Sequence, residues 1–243
     1  MICFISDIHL NPEFPERTER FRSFVDIMRQ RPESPADLQV YILGDLFDFW
    51  YERNRGLFEY YAKELELLRE LAQSVKSVGI IFGNRDFSYE EHFPRHVGSN
   101  IRILGDEAEV LLNGKRTLLI HGDLLCRNDG GYLRFRRLIR SPLAKMFFGW
   151  LPWFAAKWVI KKMMRSSVEY QTRTEQKILE MDESAIAEKF KRGFDTMIFG
   201  HVHRQSSQSR SVDGRSCELV SPGSCIDRLE FAVLDDDGLR FHP

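Results

Sequence analysis

The sequence predicts an α/β fold: two mixed β-sheets packed face to face, helices outside, and one helical insertion. Three observations lead there. Up to residue 82, strand-like apolar runs alternate with amphipathic helical stretches, the order of parallel strands joined by right-handed crossovers. From 101 onward, strand-like segments are joined by the hairpin dipeptides Asn113-Gly114, Asp213-Gly214 and Asp237-Gly238. Between 131 and 193 the pattern is helical, interrupted at Pro142 and Pro152.

Each element follows from its residues. The first strand ends at Asp7, and 12–15 reads as loop. Helical spacing of Phe21, Phe24, Val25 and Met28 predicts a helix over 17–29 that stops before Pro32. The second strand covers 39–43. A helix over about 57–75 carries Leu65, Leu68, Leu71 and Ala72 on one face. The third strand runs to Phe82, and a short polar helix lies near Glu90. Strands are expected over 101–104 and 108–120, and again over 196–199. No repeat, low-complexity tract or linker divides the chain, so it reads as one domain, 1–243, with a helical lid over about 131–192.

With 243 residues the chain can bury one sizeable core. Its net charge of −1 gives no overall polyanion-binding signature, but the charge is unevenly spread. Between Arg127 and Arg165 there are ten Arg or Lys residues and one acid, Asp129. Cys3, Cys126, Cys217 and Cys225 lack C-x-x-C spacing and the density of a disulfide scaffold. The start of the chain reads directly into a strand and not as a secretory signal, and the most apolar run, 146–156, is too short to span a bilayer. A cytoplasmic protein is expected.

Five apolar runs end in residues that ligate metals. They are Phe4-Ile5-Ser6-Asp7-Ile8-His9, Tyr41-Ile42-Leu43-Gly44-Asp45, Ile80-Ile81-Phe82-Gly83-Asn84, Leu118-Leu119-Ile120-His121 and Ile198-Phe199-Gly200-His201-Val202-His203. Together they supply two carboxylates, one amide and four imidazoles, a donor set suited to a pair of divalent first-row ions. Asp45 is the candidate to be shared between the two ions. A single His or Asp at a strand end is most often a cap or a hydrogen-bonded residue, and His92, His96 and His242 are read so. Five such endings in one chain argue for a site.

The motifs Asp-x-His, Gly-Asp-x-x-Asp, Gly-Asn-x-Asp, His-Gly-Asp and Gly-His-x-His, in this order, resemble the calcineurin-like metallophosphoesterases. That resemblance implies a four-layer α/β/β/α sandwich with a two-metal centre. One ion would take Asp7, His9, Asp45 and His203; the other would take Asp45, Asn84, His121 and His201. Asp48, Asp86 and Asp123 are read as orienting ligands or backbone. Many members carry Gly-Asn-His, whose His can protonate a leaving alkoxide; here the residue is Arg85. Arg cannot be a general acid near neutral pH, but its planar fork binds phosphate. A leaving group that needs no proton, such as a phosphate monoester departing from a pyrophosphate, suits it. The bland alternative is an Arg85–Asp86 surface pair.

Gly-Asn-Arg-Asp-Phe, followed by His121-Gly-Asp-Leu-Leu-Cys and Asp129-x-Gly-Tyr-x-x-Phe-Arg136, is similar to the UDP-2,3-diacylglucosamine diphosphatases of that family. The similarity implies cleavage of a nucleotide-linked lipid sugar to UMP and the lipid sugar 1-phosphate in lipid A biosynthesis, with manganese favoured. By it, Asn84, Arg85 and His201 act on the substrate alongside Asp45, and Asp129 contacts it. Of the substrate-binding Ser, Asn and Lys of the lid, Ser167 has a counterpart, and Gln171, Arg173 and Lys177 are candidate stand-ins.

Met146-Phe147-Phe148-Gly149-Trp150-Leu151-Pro152-Trp153-Phe154 is flanked by Arg137, Arg140, Lys145, Lys157, Lys161, Lys162 and Arg165. Bases beside Trp and Phe suit an element lying in the headgroup zone of an anionic membrane, here 143–165, on the cytoplasmic face of the inner membrane. The plainer reading is that the aromatics only pack the insertion onto the core. Two other functions are kept in view: a metallophosphodiesterase or nuclease whose bases track a phosphate backbone, and a non-catalytic metal-binding module. Aromatic density favours acyl chains over nucleic acid.

Overall fold

A computed structural model describes residues 1–31, 35–173 and 181–242, with 167–168 and 170–173 described by their backbone alone. Strands β1 (Ile2–Ile5), β2 (Gln39–Ile42), β3 (Ser77–Ile81) and β4 (Ile101–Gly105) pair in parallel. β10 (Phe231–Asp235) adds antiparallel to β1, and β11 (Gly238–His242) adds to β10, giving the order β11-β10-β1-β2-β3-β4. The second sheet has the order β5-β6-β7-β9-β8, from β5 (Glu107–Leu112), β6 (Lys115–Ile120), β7 (Thr196–Phe199), β8 (Gln205–Val212) and β9 (Arg215–Pro222). Its centre, β6-β7-β9, is parallel, so both sheets are mixed as the turn chemistry requires.

Side-chain alternation sorts the core into three layers. Phe4, Leu43, Ile81, Leu119, Ile198, Val220 and Ala232 face inward and fill the space between the sheets. Their neighbours Cys3, Ile5, Val40, Ile42, Val78 and Ile80 face the other way. There they meet Phe21, Phe24 and Val25 of α1 (Pro15–Arg29) and the leucines of α3 (Ala62–Ser74). On the far side, Leu118, Met197, Phe199 and Leu219 meet the helix that spans Glu183–Lys191. The four layers are therefore α/β/β/α.

The helix expected over 57–75 is broken into α2 (Gly56–Tyr60) and α3. Tyr61, at the break, is buried, its ring 4.8 Å from that of Phe47. After α4 (His92–Val97), the insertion supplies α5 (Gly130–Ile139), α6 (Pro142–Trp150) and α7 (Trp153–Arg173), which lie on the side of the first sheet. Phe148, Ala156 and Ile160 join that core, while the next described helix, α8 (Glu183–Lys191), belongs to the layer over the second sheet. Ser141 and Asp182 cap α6 and α8 by accepting the N–H of Ala144 and Ala185. Among the described residues no helix is long and apolar enough to cross a membrane. All four cysteines are buried.

Candidate metal centre

The parallel strands of both sheets aim their carboxyl ends at one edge of the sandwich, where α/β sheets place ligands. From the first sheet come Asp7 and His9 after β1, Asp45 after β2, and Asn84 after β3. From the second come His121 after β6, then His201 and His203 after β7. The chain segments stay paired beyond the strands: His9 N–H donates to Asp45 O at 2.9 Å and Leu10 N–H to Leu46 O at 2.8 Å. This pairing holds an unusual backbone. Asp7, His9, Asp45, His201 and His203 all have φ between 50° and 71°. For residues other than Gly, that left-handed conformation costs on the order of 1 kcal/mol or more, and it persists only where surroundings impose it.

Two sets of acceptors converge on one carboxylate oxygen. His9 Nδ1 donates to Asp48 Oδ1 at 3.0 Å, so its Nε2 carries the lone pair. That nitrogen is buried without a hydrogen-bond partner, 3.5 Å from Asp45 Oδ2 and 3.9 Å from Asp7 Oδ1. Asp7 Oδ1 is also buried without one; His203 Nε2 lies 3.2 Å from it. On the other side, His121 Nδ1 donates to Leu43 O at 2.9 Å, which turns its Nε2 toward Asn84 Oδ1 at 2.9 Å and Asp45 Oδ2 at 3.7 Å. Acceptors facing acceptors in a buried pocket need a cation between them. The field of the carboxylates favours positive charge at this spot, on a proton or on an ion. Burial disfavours an imidazolium at His121, yet Asp45, Asp7 and Asp123 lift its pKa to about 9. His201 stands edge-on to His121, ring centres 5.1 Å apart; burial and then the His121 charge push its pKa down.

The three supporting carboxylates have distinct partners. Asp86 accepts the N–H groups of Asp45, Leu46, Phe47 and Gly83 at 2.6–3.2 Å and the Tyr89 hydroxyl at 2.6 Å, so it holds the loop that carries Asp45. Asp48 receives His9 and Arg85 on one oxygen and Asn11 and Arg17 on the other. Burial works to raise its pKa, but His9, Arg85 and Asn11 outweigh it and keep the carboxylate ionised. Asp123 receives the Tyr132 hydroxyl and Arg136 Nε, fastening α5 to the site.

Arg85 therefore pairs with Asp48, at 3.1 Å, and not with Asp86. The reason is local: Asp86 is fully buried and its oxygens are taken by backbone N–H groups. Asp129 is buried and caps α5 by accepting the Tyr132 N–H at 2.8 Å. Ser167, Gln171 and Arg173 fall where only the backbone of α7 is described, and Lys177 lies outside the described residues. Asn11 and Arg17 were not singled out from the sequence; their place just after the Asp-x-His motif is the signal that points to them.

A sequence profile of the calcineurin-like phosphoesterases matches residues 1–205. The chain belongs to the calcineurin-like phosphoesterases. As a member, it is a metal-binding hydrolase with the α/β sandwich described above. UDP-2,3-diacylglucosamine hydrolase of Pseudomonas paraeruginosa is 33% identical over 246 residues, covering 100% of this chain and 98% of that protein. Proteins of the same name from Pseudomonas aeruginosa and Ectopseudomonas mendocina are each 32% identical, with the same coverage.

Proposed function

We propose that this phosphoesterase cleaves the pyrophosphate bond of UDP-2,3-diacylglucosamine, a step of lipid A biosynthesis, releasing UMP and 2,3-diacylglucosamine 1-phosphate. One observation carries the reading: Asp45 Oδ2 is 3.5 Å from His9 Nε2 and 3.7 Å from His121 Nε2, within reach of both sets of ligands as a carboxylate shared by two ions would be. Full-length similarity to hydrolases named for that substrate supports it. Asp7, His9, Asp45 and His203 would hold one divalent ion, and Asp45, Asn84, His121 and His201 the other, with manganese the proposed metal. Bound there, such a pair supplies a hydroxide near neutral pH and neutralises charge on the phosphate oxygens.

The remaining chemistry falls to the chain. Arg85, anchored by Asp48 through one nitrogen, keeps other donors of its fork for a phosphate oxygen. No proton need reach a departing phosphate, so a guanidinium suffices where an alkoxide would demand an acid. Asp129 at the start of α5, with Ser167, Gln171, Arg173 and Lys177, would contact substrate on the lid side. The helices of the insertion would rest on the cytoplasmic face of an anionic membrane, since Leu143, Phe147, Trp150, Phe154 and Trp158 are each 64–78% exposed. Against a nucleic-acid substrate, Arg136 and Arg140 turn inward to Asp106, and Lys157 and Lys161 pair with Glu13.

The test is UMP release from UDP-2,3-diacylglucosamine with added Mn2+. Arg85→Ala is expected to lower kcat by about 10²-fold, the usual cost of one donor to developing charge. Asp45→Asn is expected to abolish turnover and to lower the bound metal measured by mass spectrometry. Cleavage of bis-aryl phosphodiesters with the lipid nucleotide untouched would overturn the substrate assignment.

A further inference from the structure

Outside the ligand set, one buried polar path leads from the metal centre to the insertion. Asn11 is buried, and three contacts fix which way its amide points. Its Nδ2 donates to Asp48 Oδ2 at 3.0 Å, and its Oδ1 accepts from Glu13 N–H at 2.9 Å and from the Tyr60 hydroxyl at 3.2 Å. Asp48, on its other oxygen, receives His9 Nδ1 at 3.0 Å. Burial, then Glu13, Glu64 and Asp48, push the Tyr60 phenol up to about 12, so it remains a protonated donor. The Tyr60 ring is held in turn by α7: Trp153 lies against it with ring centres 5.2 Å apart, and Lys157 Nζ sits 4.8 Å from its centre. A cavity of about 190 Å³ opens beside this contact, between the 11–14 loop and α7.

We propose that Asn11 and Tyr60 are positioning residues for the metal centre, aligning Asp48 and through it the His9 ring. The inference rests on His9 being a metal ligand, as in the proposed function. Its logic is that an imidazole's basicity and aim depend on what its other nitrogen touches, and here that partner is itself held from behind. Asn11 supplies the only amide donor to Asp48 among its described partners, Arg17, Arg85 and His9 being the others. Without the Tyr60 hydroxyl, Asn11 keeps the Glu13 N–H as its described acceptor-side restraint.

The experiment is titration of the metal-free protein with Mn2+, following free ion by electron paramagnetic resonance, alongside thermal melting in EDTA. Asn11→Ala is expected to weaken Mn2+ binding by roughly tenfold, in the range found when partners of metal ligands are removed. Tyr60→Phe, which keeps the ring on Trp153, should weaken binding about threefold, below that range because it acts one link further away, and leave the EDTA melting temperature unchanged. Tyr41→Phe, whose hydroxyl meets Gln39 away from the site, should bind as the wild type does. If the wild type binds Mn2+ and both variants match it, the positioning role is overturned while the proposed function stands. If the wild type binds no Mn2+, the metal reading itself falls and takes this inference with it.

Discussion

A Cβ atom at Gly83 would lie 2.1 Å from Asp45 Oδ1, 2.3 Å from Asp45 N and 2.6 Å from Asp86 Oδ1. Two of these atoms belong to the carboxylates that build and brace the centre, and the third is backbone, so no flexible side-chain end can swing aside. Gly83→Ala is therefore expected to displace Asp45 itself. Overpacking of this kind costs about 1–3 kcal/mol, but the loss of metal should exceed what that instability explains. Calorimetry in EDTA, read beside metal content, checks it; a variant that is destabilised yet binds metal normally would show that Asp45 is held by other means. Five of the candidate ligands, Asp45 among them, have left-handed backbone. Strain there is imposed by paired loops and by Asp86, and it aims side chains from different strands into one pocket. This much was legible as motif. An apolar run closing on Gly-Asp or Gly-His names a strand end and a ligand together, although nothing in such a run discloses φ.

Among the elements, strands and hairpins were legible because their signals are local: two-residue turns at Asn113-Gly114 and Asp213-Gly214, and alternation along β1 and β2. The break between α2 and α3 was not. It depends on Tyr61 packing against Phe47 and Trp50, and it brings Tyr60 to Asn11 across 49 residues, a contact no periodicity announces. The insertion divides its aromatics in the same tertiary fashion. Phe148 packs near Phe49 and Tyr51, Trp153 against Tyr60, and Asn54 Nδ2 donates to the carbonyls of Phe148 and Leu151. What remains outside, Phe147, Trp150, Phe154 and Trp158, is expected to enter an anionic bilayer interface. Replacing Trp150 and Phe154 by Ser removes two side chains that are each 78% exposed. The pair should lose flotation with anionic liposomes by several-fold while the melting temperature is unchanged. Wild-type protein that stays with the unbound fraction would remove membrane contact from the reading.

At the scale of the whole molecule, the centre is made of two halves held by separate sheets. Asp7, His9, Asp45 and Asn84 extend from the first, and His121, His201 and His203 from the second. The spacing between these halves is set by the inter-sheet layer, Phe4, Leu43, Ile81, Leu119, Ile198 and Val220. Closely packed interiors transmit a change of volume as strain, so a cavity in this layer should reach the ligands. A cavity on the helix side of the first sheet has the sheet itself between it and the second half. Ile198→Ala and Leu68→Ala compare the two positions, since both side chains are buried and both truncations cost about 2–5 kcal/mol. Both are expected to lower the midpoint of chemical unfolding by similar amounts. Only Ile198→Ala should weaken Mn2+ binding, because His201 and His203 follow directly on the strand that carries Ile198. Equal weakening by both would mean that global stability governs affinity. Full affinity in Ile198→Ala would mean that the loops, through Asp86 and the paired backbone, hold the ligands without help from the sheets.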